Sequence, residues 1–176
     1  MTVSFMMSLP TGNFHDKING NIDPGMQPGF GSPAYTLGFA AAHQFGSFTV
    51  NAELSMDFFT ERENFQFGSE KRFNLAGVYE LYGEPKSFIS KLDGILELNF
   101  LHLNRDQENG EGLPATGGNV LYVSPGLRLS MPKMQNANLG LLVKFPAWKD
   151  LNEQSQQQGA AGLEKYRIIT TLSFFF

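Results

Sequence analysis

The feature that most constrains this fold is a strict alternation of apolar and polar residues between Ser47 and Phe58. This period of two predicts a β-strand whose faces meet different surroundings, because a helix would spread the same residues around its circumference. The stretch is also longer than the roughly 5–6 residues of a common strand in a soluble protein. The apolar side carries Phe48, Val50, Ala52, Leu54, Met56 and Phe58.

The same alternation recurs along the chain, which predicts about eight strands. Most of them match the roughly 9–11 residues that a tilted strand needs to cross a bilayer. Eight is also the smallest common strand number in bacterial barrels. We therefore predict an all-β fold, an antiparallel up-and-down transmembrane β-barrel. The seven further stretches are 3–9, 35–44, 73–81, 92–100, 121–130, 138–145 and 166–176.

The connections between these stretches alternate in length without a break. Short ones lie around Gly46, at 83–90 and at 132–136. Outer-membrane barrels have long extracellular loops and short periplasmic turns. We expect one domain over residues 1–176, in the bacterial outer membrane, with both termini periplasmic. The long loops are predicted at about 10–33, 59–70, 106–118 and 146–163.

Composition agrees with this interpretation. The chain has 17 Phe, yet its mean hydropathy is only -0.20, as expected when apolar and polar residues interleave. A net charge of -4 gives no support to nucleic-acid binding, which needs a basic face. No apolar run approaches the ~18 residues of a membrane helix. Since no signal peptide is apparent and a barrel must be exported, we expect a mature form or a fragment.

The last strand carries a candidate assembly signal. Its apolar residues alternate toward a terminal Phe, as in the C-terminal strand that the barrel-assembly machinery of bacteria recognises. In a soluble protein, an apolar edge strand of this kind would promote aggregation. The signal residues are Tyr166, Leu172, Phe174 and Phe176.

Charged residues of both signs fall on the polar side of the predicted strands. In a narrow eight-stranded barrel they would pair and fill the interior. In a barrel widened by further strands they would line a polar lumen and select solutes. The candidates are Glu53, Asp57, Glu80, Asp93, Glu97, Arg105, Arg128, Lys144 and Arg167.

Several short motifs resemble the outer-membrane β-barrel transporter family of the phenol-degradation meta-pathway type. In that family the first of these motifs follows several earlier strands. The resemblance therefore implies missing N-terminal strands, a native barrel of about 12 strands, and passage of hydrophobic or aromatic compounds. The motifs are Leu9-Pro10-Thr11-Gly12, Gln44-Phe45-Gly46-Ser47-Phe48, Ser124-Pro125-Gly126, and Phe145-Pro146 with Asp150-Leu151-Asn152.

We expect a passive channel or transporter for small or hydrophobic solutes. One alternative is a structural or partner-binding outer-membrane barrel with a plugged lumen, and another is a soluble lipocalin-like carrier. Expected partners are outer-membrane lipids, the barrel-assembly machinery, and either an envelope protein or a second copy, with no nucleic acid. No catalytic residue, cofactor or metal is expected, because His15, His43 and His102 lack metal-ligand spacing and Ser130 lacks a nucleophile motif.

Overall fold

A computed structural model describes residues 1–13, 31–131, 133–134, 137–152 and 164–174. The described residues form β-strands and connections. None of them forms a helix long and apolar enough to span a membrane. The strands are β1 (Thr2–Ser8), β2 (Ala34–Phe45), β3 (Phe48–Phe59), β4 (Phe65–Gln66), β5 (Glu70–Gly83), β6 (Lys91–Leu103), β7 (Gln107–Glu108), β8 (Glu111–Gly112), β9 (Gly118–Met131), β10 (Ala137–Leu151) and β11 (Arg167–Ser173).

Eight of these strands form one antiparallel sheet in the order β1-β2-β3-β5-β6-β9-β10-β11. Each strand pairs with the next long strand along the chain, which confirms the predicted all-β meander of eight strands. The predicted closure is not shown. Within the described residues no ladder joins β1 to β11, so the sheet has two edges.

The register keeps apolar and polar residues on opposite sides across the whole sheet. A single row of paired residues shows this, because neighbours in an antiparallel ladder share a face. We call the side of the sheet that carries this row the apolar face, and the opposite side the polar face. The row contains Val3, Phe39, Leu54, Phe73, Phe100, Leu121 and Trp148.

The apolar face is the more exposed of the two. Leu96 on β6 and Ile168 on β11 are 51% and 61% exposed. On the polar face, Asp93 and Ser124 are each only 1% exposed. A half-buried sheet in a water-soluble protein normally hides its apolar side and exposes its polar side. This sheet has the opposite arrangement.

The described connections differ in length and structure. β2 and β3 are joined by a two-residue turn at Gly46 and Ser47, where Gly46 has a φ of 59° that suits a tight hairpin. The loops predicted at 59–70 and 106–118 contain a small sheet, in which β7 pairs with both β4 and β8. Asn109 and Gly110, both with positive φ, form the turn between β7 and β8.

Several boundaries differ from the prediction, and those of β10 and β5 differ most. β10 continues to Leu151, so the loop predicted from residue 146 begins later. A register shift between Pro146 and Trp148 lets the strand pass the proline, which has no N–H to donate. β5 begins at Glu70 and therefore contains residues assigned to a loop or left out of the predicted strand. Much of the loops predicted at 10–33 and 146–163 lies outside the described residues.

Candidate functional site on the polar face

The polar face encloses a trough of about 420 Å³. Residues from β1 and from β6 line it together, although three strands separate them in the sheet. The sheet must therefore curl around its polar side. Small side chains leave the space open, and amides and carboxylates surround it. The polar-face residues lining the trough are Thr2, Ala40, Ala42, Asn51, Glu53, Asn74, Ala76, Glu97 and Asn99.

A ladder of polar side chains crosses this trough. Asn74 Nδ2 donates to Glu53 Oε2 at 3.3 Å, and Asn99 Nδ2 donates to Asn74 Oδ1 at 3.1 Å. The next residue in the same row is Tyr122, and the ammonium of Lys144 lies 4.2 Å from the centre of its ring. This distance is within the range of a cation–π contact. The trough wall is thus hydrogen-bonded from one strand to the next.

An ion-pair network lies at the end of the polar face next to the long connections. Arg72 forms ion pairs with both Asp57 and Glu70, which are directly opposite each other on β3 and β5. Thr36 donates to the other oxygen of Asp57 at 2.5 Å. Two carboxylates facing each other repel, and the guanidinium between them offsets that repulsion.

A second network lies toward the short-connection end. Arg128 donates to Asp93 Oδ2 through Nε at 3.1 Å and Nη2 at 2.8 Å. Lys91 Nζ lies 3.2 Å from Asp93 Oδ1 and 3.3 Å from Glu80 Oε2. The carboxylate of Asp93 is buried, so its two cationic neighbours compensate for the loss of water.

The predicted lumen residues share one face of the sheet. Across the ladders, Glu80 pairs with Asp93, Asp93 pairs with Arg128, and Lys144 pairs with Arg167. A spacing of four residues along a strand places Glu97 on the same side as Asp93, and Glu53 on the same side as Asp57. The structure brings some of them together in the two networks. Arg105 differs, since it follows β6 and lies in a loop. The residues on the polar face are Glu53, Asp57, Glu80, Asp93, Glu97, Arg128, Lys144 and Arg167.

Three of these charges lie at middle height and form no ion pair with any described residue. Glu53 is hydrogen-bonded to an amide, Lys144 contacts an aromatic ring, and Glu97 faces Ser124 across the ladder. The hydroxyl of Ser124 is buried and hydrogen-bonds to no described group. Arg167 is paired with Glu164 at 2.9 Å.

Sequence patterns alone missed several members of the site. Asn74 and Asn99 carry no charge, so only the register between β5 and β6 shows that they form a ladder. Glu70 and Arg72 fall in the polar start of β5, where apolar alternation has not begun. Lys91 was outside the predicted strand for the same reason. Charged residues of opposite sign near the ends of neighbouring strands are the sequence signal that would have identified Glu70, Arg72 and Lys91.

Among the described connections, those at 59–70 and 106–118 contain a carboxyl group with a perturbed pKa, that of Asp106. The backbone N–H of Gly68 donates to Asp106 Oδ1 at 2.7 Å, which ties the two loops together. Burial raises the pKa of Asp106, and the Gly68 hydrogen bond partly opposes that rise. Desolvation disfavours a carboxylate, whereas a donated hydrogen bond favours it.

Three of the four candidate assembly-signal residues are described. Tyr166, Leu172 and Phe174 are exposed, on the same side as the apolar face of β11. Phe176 lies outside the described residues.

Comparisons with known proteins identify no relative. No family model matches the chain, and neither a curated protein sequence nor a solved structure matches it. Within the described part of the chain, no group of three or more His, Cys, Asp and Glu residues could hold a metal ion. Functional inference therefore starts from the geometry of the two faces.

Proposed function

We propose that this chain is a bacterial outer-membrane β-barrel protein that forms a passive channel for small solutes. Its apolar face contacts lipid and its polar face surrounds a water-filled lumen. Both termini are periplasmic, and the apolar side of β11 serves recognition by the barrel-assembly machinery. The observation that supports this proposal best is that the apolar face is exposed while residues of the polar face are buried.

The size of the exposed apolar surface favours lipid over water. More than a dozen large apolar side chains on this face are at least one-third exposed. Removing one such side chain fully from water is worth roughly 1.5–3 kcal/mol. Even partial burial of the whole set exceeds the roughly 5–15 kcal/mol net stability of a typical domain. A monomer in water rarely exposes so large an apolar area.

A soluble lipocalin-like carrier requires the reverse arrangement. Its apolar residues would face the cavity and hold the ligand. Here the trough is lined by amides, carboxylates and alanines, and Leu96 and Phe100 lie on the opposite side. The polar trough and the apolar exterior both favour the membrane protein.

Closure of the sheet is part of the proposal. β1 and β11 have equal lengths and are antiparallel in the meander, so they can pair with each other or with further strands. Edge strands with free backbone groups are not stable in hydrocarbon. The resemblance to the phenol-degradation meta-pathway family favours additional strands and a wider lumen, and it extends the proposal to aromatic solutes.

Conductance of the refolded chain in a planar lipid bilayer tests the channel. We expect discrete, stable conductance steps. The matched control is the same detergent without protein, together with a variant in which Asn74→Trp and Ala76→Trp fill the trough. Folded protein that gives no steps would contradict the channel.

A second candidate is a barrel with a plugged lumen that binds an envelope partner or a second copy. The two ion-pair networks favour it, because Arg72 and Arg128 project charged groups onto the polar face and pair there. The ordered loop sheet of β4, β7 and β8 would supply a binding surface. Folded protein that gives no conductance steps in the bilayer would favour this candidate over the channel.

A further inference from the structure

The charges on the polar face are separated by sign at middle height. Glu53 on β3 and Glu97 on β6 lie on one part of the wall, while Lys144 on β10 and Arg167 on β11 lie on the other, where Glu164 pairs with Arg167. Near both ends of the strands, acids and bases are neutralised in the two networks. In the middle, Glu53, Glu97 and Lys144 form no ion pair with described residues. The described part of the polar face therefore carries charges of both signs that form no ion pair within it.

The register places the two signs in one row. Glu97 pairs with Ser124 on β9. On β10, Lys144 lies between Leu142, which pairs with Gly126, and Phe145, which pairs with Val123, so it lies beside Ser124. One strand separates Glu97 from Lys144, which sets their backbones roughly 10 Å apart. Two long side chains and a small solute can bridge this distance.

The cationic part of the row is suited to an anionic group. Lys144 and Arg167 are directly opposite each other across the ladder, and like charges in that position destabilise a sheet. Glu164 pairs with Arg167 at 2.9 Å and offsets part of this repulsion. Lys144 forms no ion pair with a described residue, so it is the cation of this row that a solute carboxylate would meet.

The acidic part of the wall is suited to an ammonium group, with Glu97 in this row and Glu53 in the neighbouring row of Asn74 and Asn99. Glu53 and Glu97 both line the trough, and Asn51 and Asn99 add hydrogen-bonding groups beside them. A simple cation would be attracted here and repelled by Lys144, and a simple anion would meet the reverse. A solute with both charges meets favourable charges on both sides.

We propose that these two neighbouring rows select small zwitterionic solutes that carry one ammonium and one carboxylate group. The ammonium faces Glu53 and Glu97, and the carboxylate faces Lys144, beside the Arg167–Glu164 ion pair. This inference rests on the proposed channel function and adds a solute class to it.

Osmotic swelling of proteoliposomes tests the selectivity, with glycine and its uncharged isomer glycolamide as probes. We expect glycine to enter faster than glycolamide through the unchanged chain. In a Glu97→Gln, Lys144→Gln variant the glycine-to-glycolamide ratio should fall by about two- to fivefold, the range that solvent-exposed ion pairs contribute. Glu111→Gln and Lys133→Gln, which remove charges outside the row, should leave the ratio unchanged.

The outcomes separate this inference from the channel. Entry of glycolamide with no preference for glycine, or a ratio unaffected by the double variant, would overturn the selectivity alone. If neither solute enters, the channel itself is wrong and the selectivity with it. Heat-modifiable migration on gels would confirm that each variant is folded before its ratio is compared.

Discussion

Arg128 holds the buried carboxylate of Asp93 with two hydrogen bonds from one guanidinium, at 3.1 and 2.8 Å to the same oxygen. The two residues are directly opposite each other on β6 and β9. The pair thus links β6 to β9 at a position where the carboxylate is almost fully removed from solvent. Removing the arginine of this pair should lower the stability of the fold.

Arg128→Ala is expected to destabilise the fold by about 3 kcal/mol, because it leaves a buried carboxylate with Lys91 as its one cationic neighbour among the described residues. Urea unfolding in lipid or detergent, followed by circular dichroism, measures the change. The Asp93→Asn, Arg128→Gln double variant should lose less than the sum of its single variants. Additive losses would show that the two side chains are not coupled.

Gly126→Ala should also destabilise the sheet, by about 1–3 kcal/mol. A Cβ at this position would lie 2.6 Å from the backbone oxygen of Leu141, and a backbone atom cannot move aside as a flexible side chain can. Gly140→Ala is the matched control, because its Cβ would lie 3.7 Å from Thr171. Equal stability of the two variants would contradict the close approach of β9 and β10.

The folded long connections should become less stable as pH rises through the raised pKa of Asp106. The folded state then binds a proton more tightly than the unfolded state, so the stabilisation is complete below the ordinary pKa of 3.8 and is lost above the raised value. Hydrogen exchange of the Gly68 amide, corrected for its intrinsic pH dependence, measures this. Asp106→Asn keeps an oxygen acceptor and should remove the dependence. An unchanged slope in that variant would exclude Asp106 as its cause.

The long strands were predictable because one physical condition repeats along each of them. Two faces in different surroundings impose a period of two, and that period is visible at Phe48 and its successors without any knowledge of the partner strand. The same pattern identified the polar face, so Glu53 and Lys144 could be assigned to it from sequence.

What could not be predicted depends on relationships between strands. The amide ladder of Asn74 and Asn99 appears only once the register is known. The short hairpin at Asn109 and Gly110 had a visible turn signal, but its strands are too short to show alternation. Whether the two edge strands pair with each other was not predictable either, because the backbone N–H and C=O groups of an edge strand form the same hydrogen bonds whatever its side chains are.

Disulfide cross-linking can determine how the sheet closes. The chain has no native cysteine, so an introduced pair reports only its own contact. If β1 pairs with β11, Ser4→Cys combined with cysteine at Ile169, Thr171 or Ser173 should cross-link within one chain in at least one combination. Cross-linked dimers would indicate pairing with a second copy. Absence of any cross-link would indicate further strands between the two edges.

The central claim is that the apolar face contacts lipid, and Trp148 tests it most directly. It is the chain's one tryptophan and lies exposed on that face, in the same row as Phe100. In vesicles, brominated acyl chains should quench its fluorescence strongly and aqueous iodide should not. With Trp148→Phe as background, Phe100→Trp should behave in the same way, and Asn99→Trp, one residue away on the polar face, should escape lipid quenching. Quenching of Trp148 by iodide but not by brominated lipid would contradict the account.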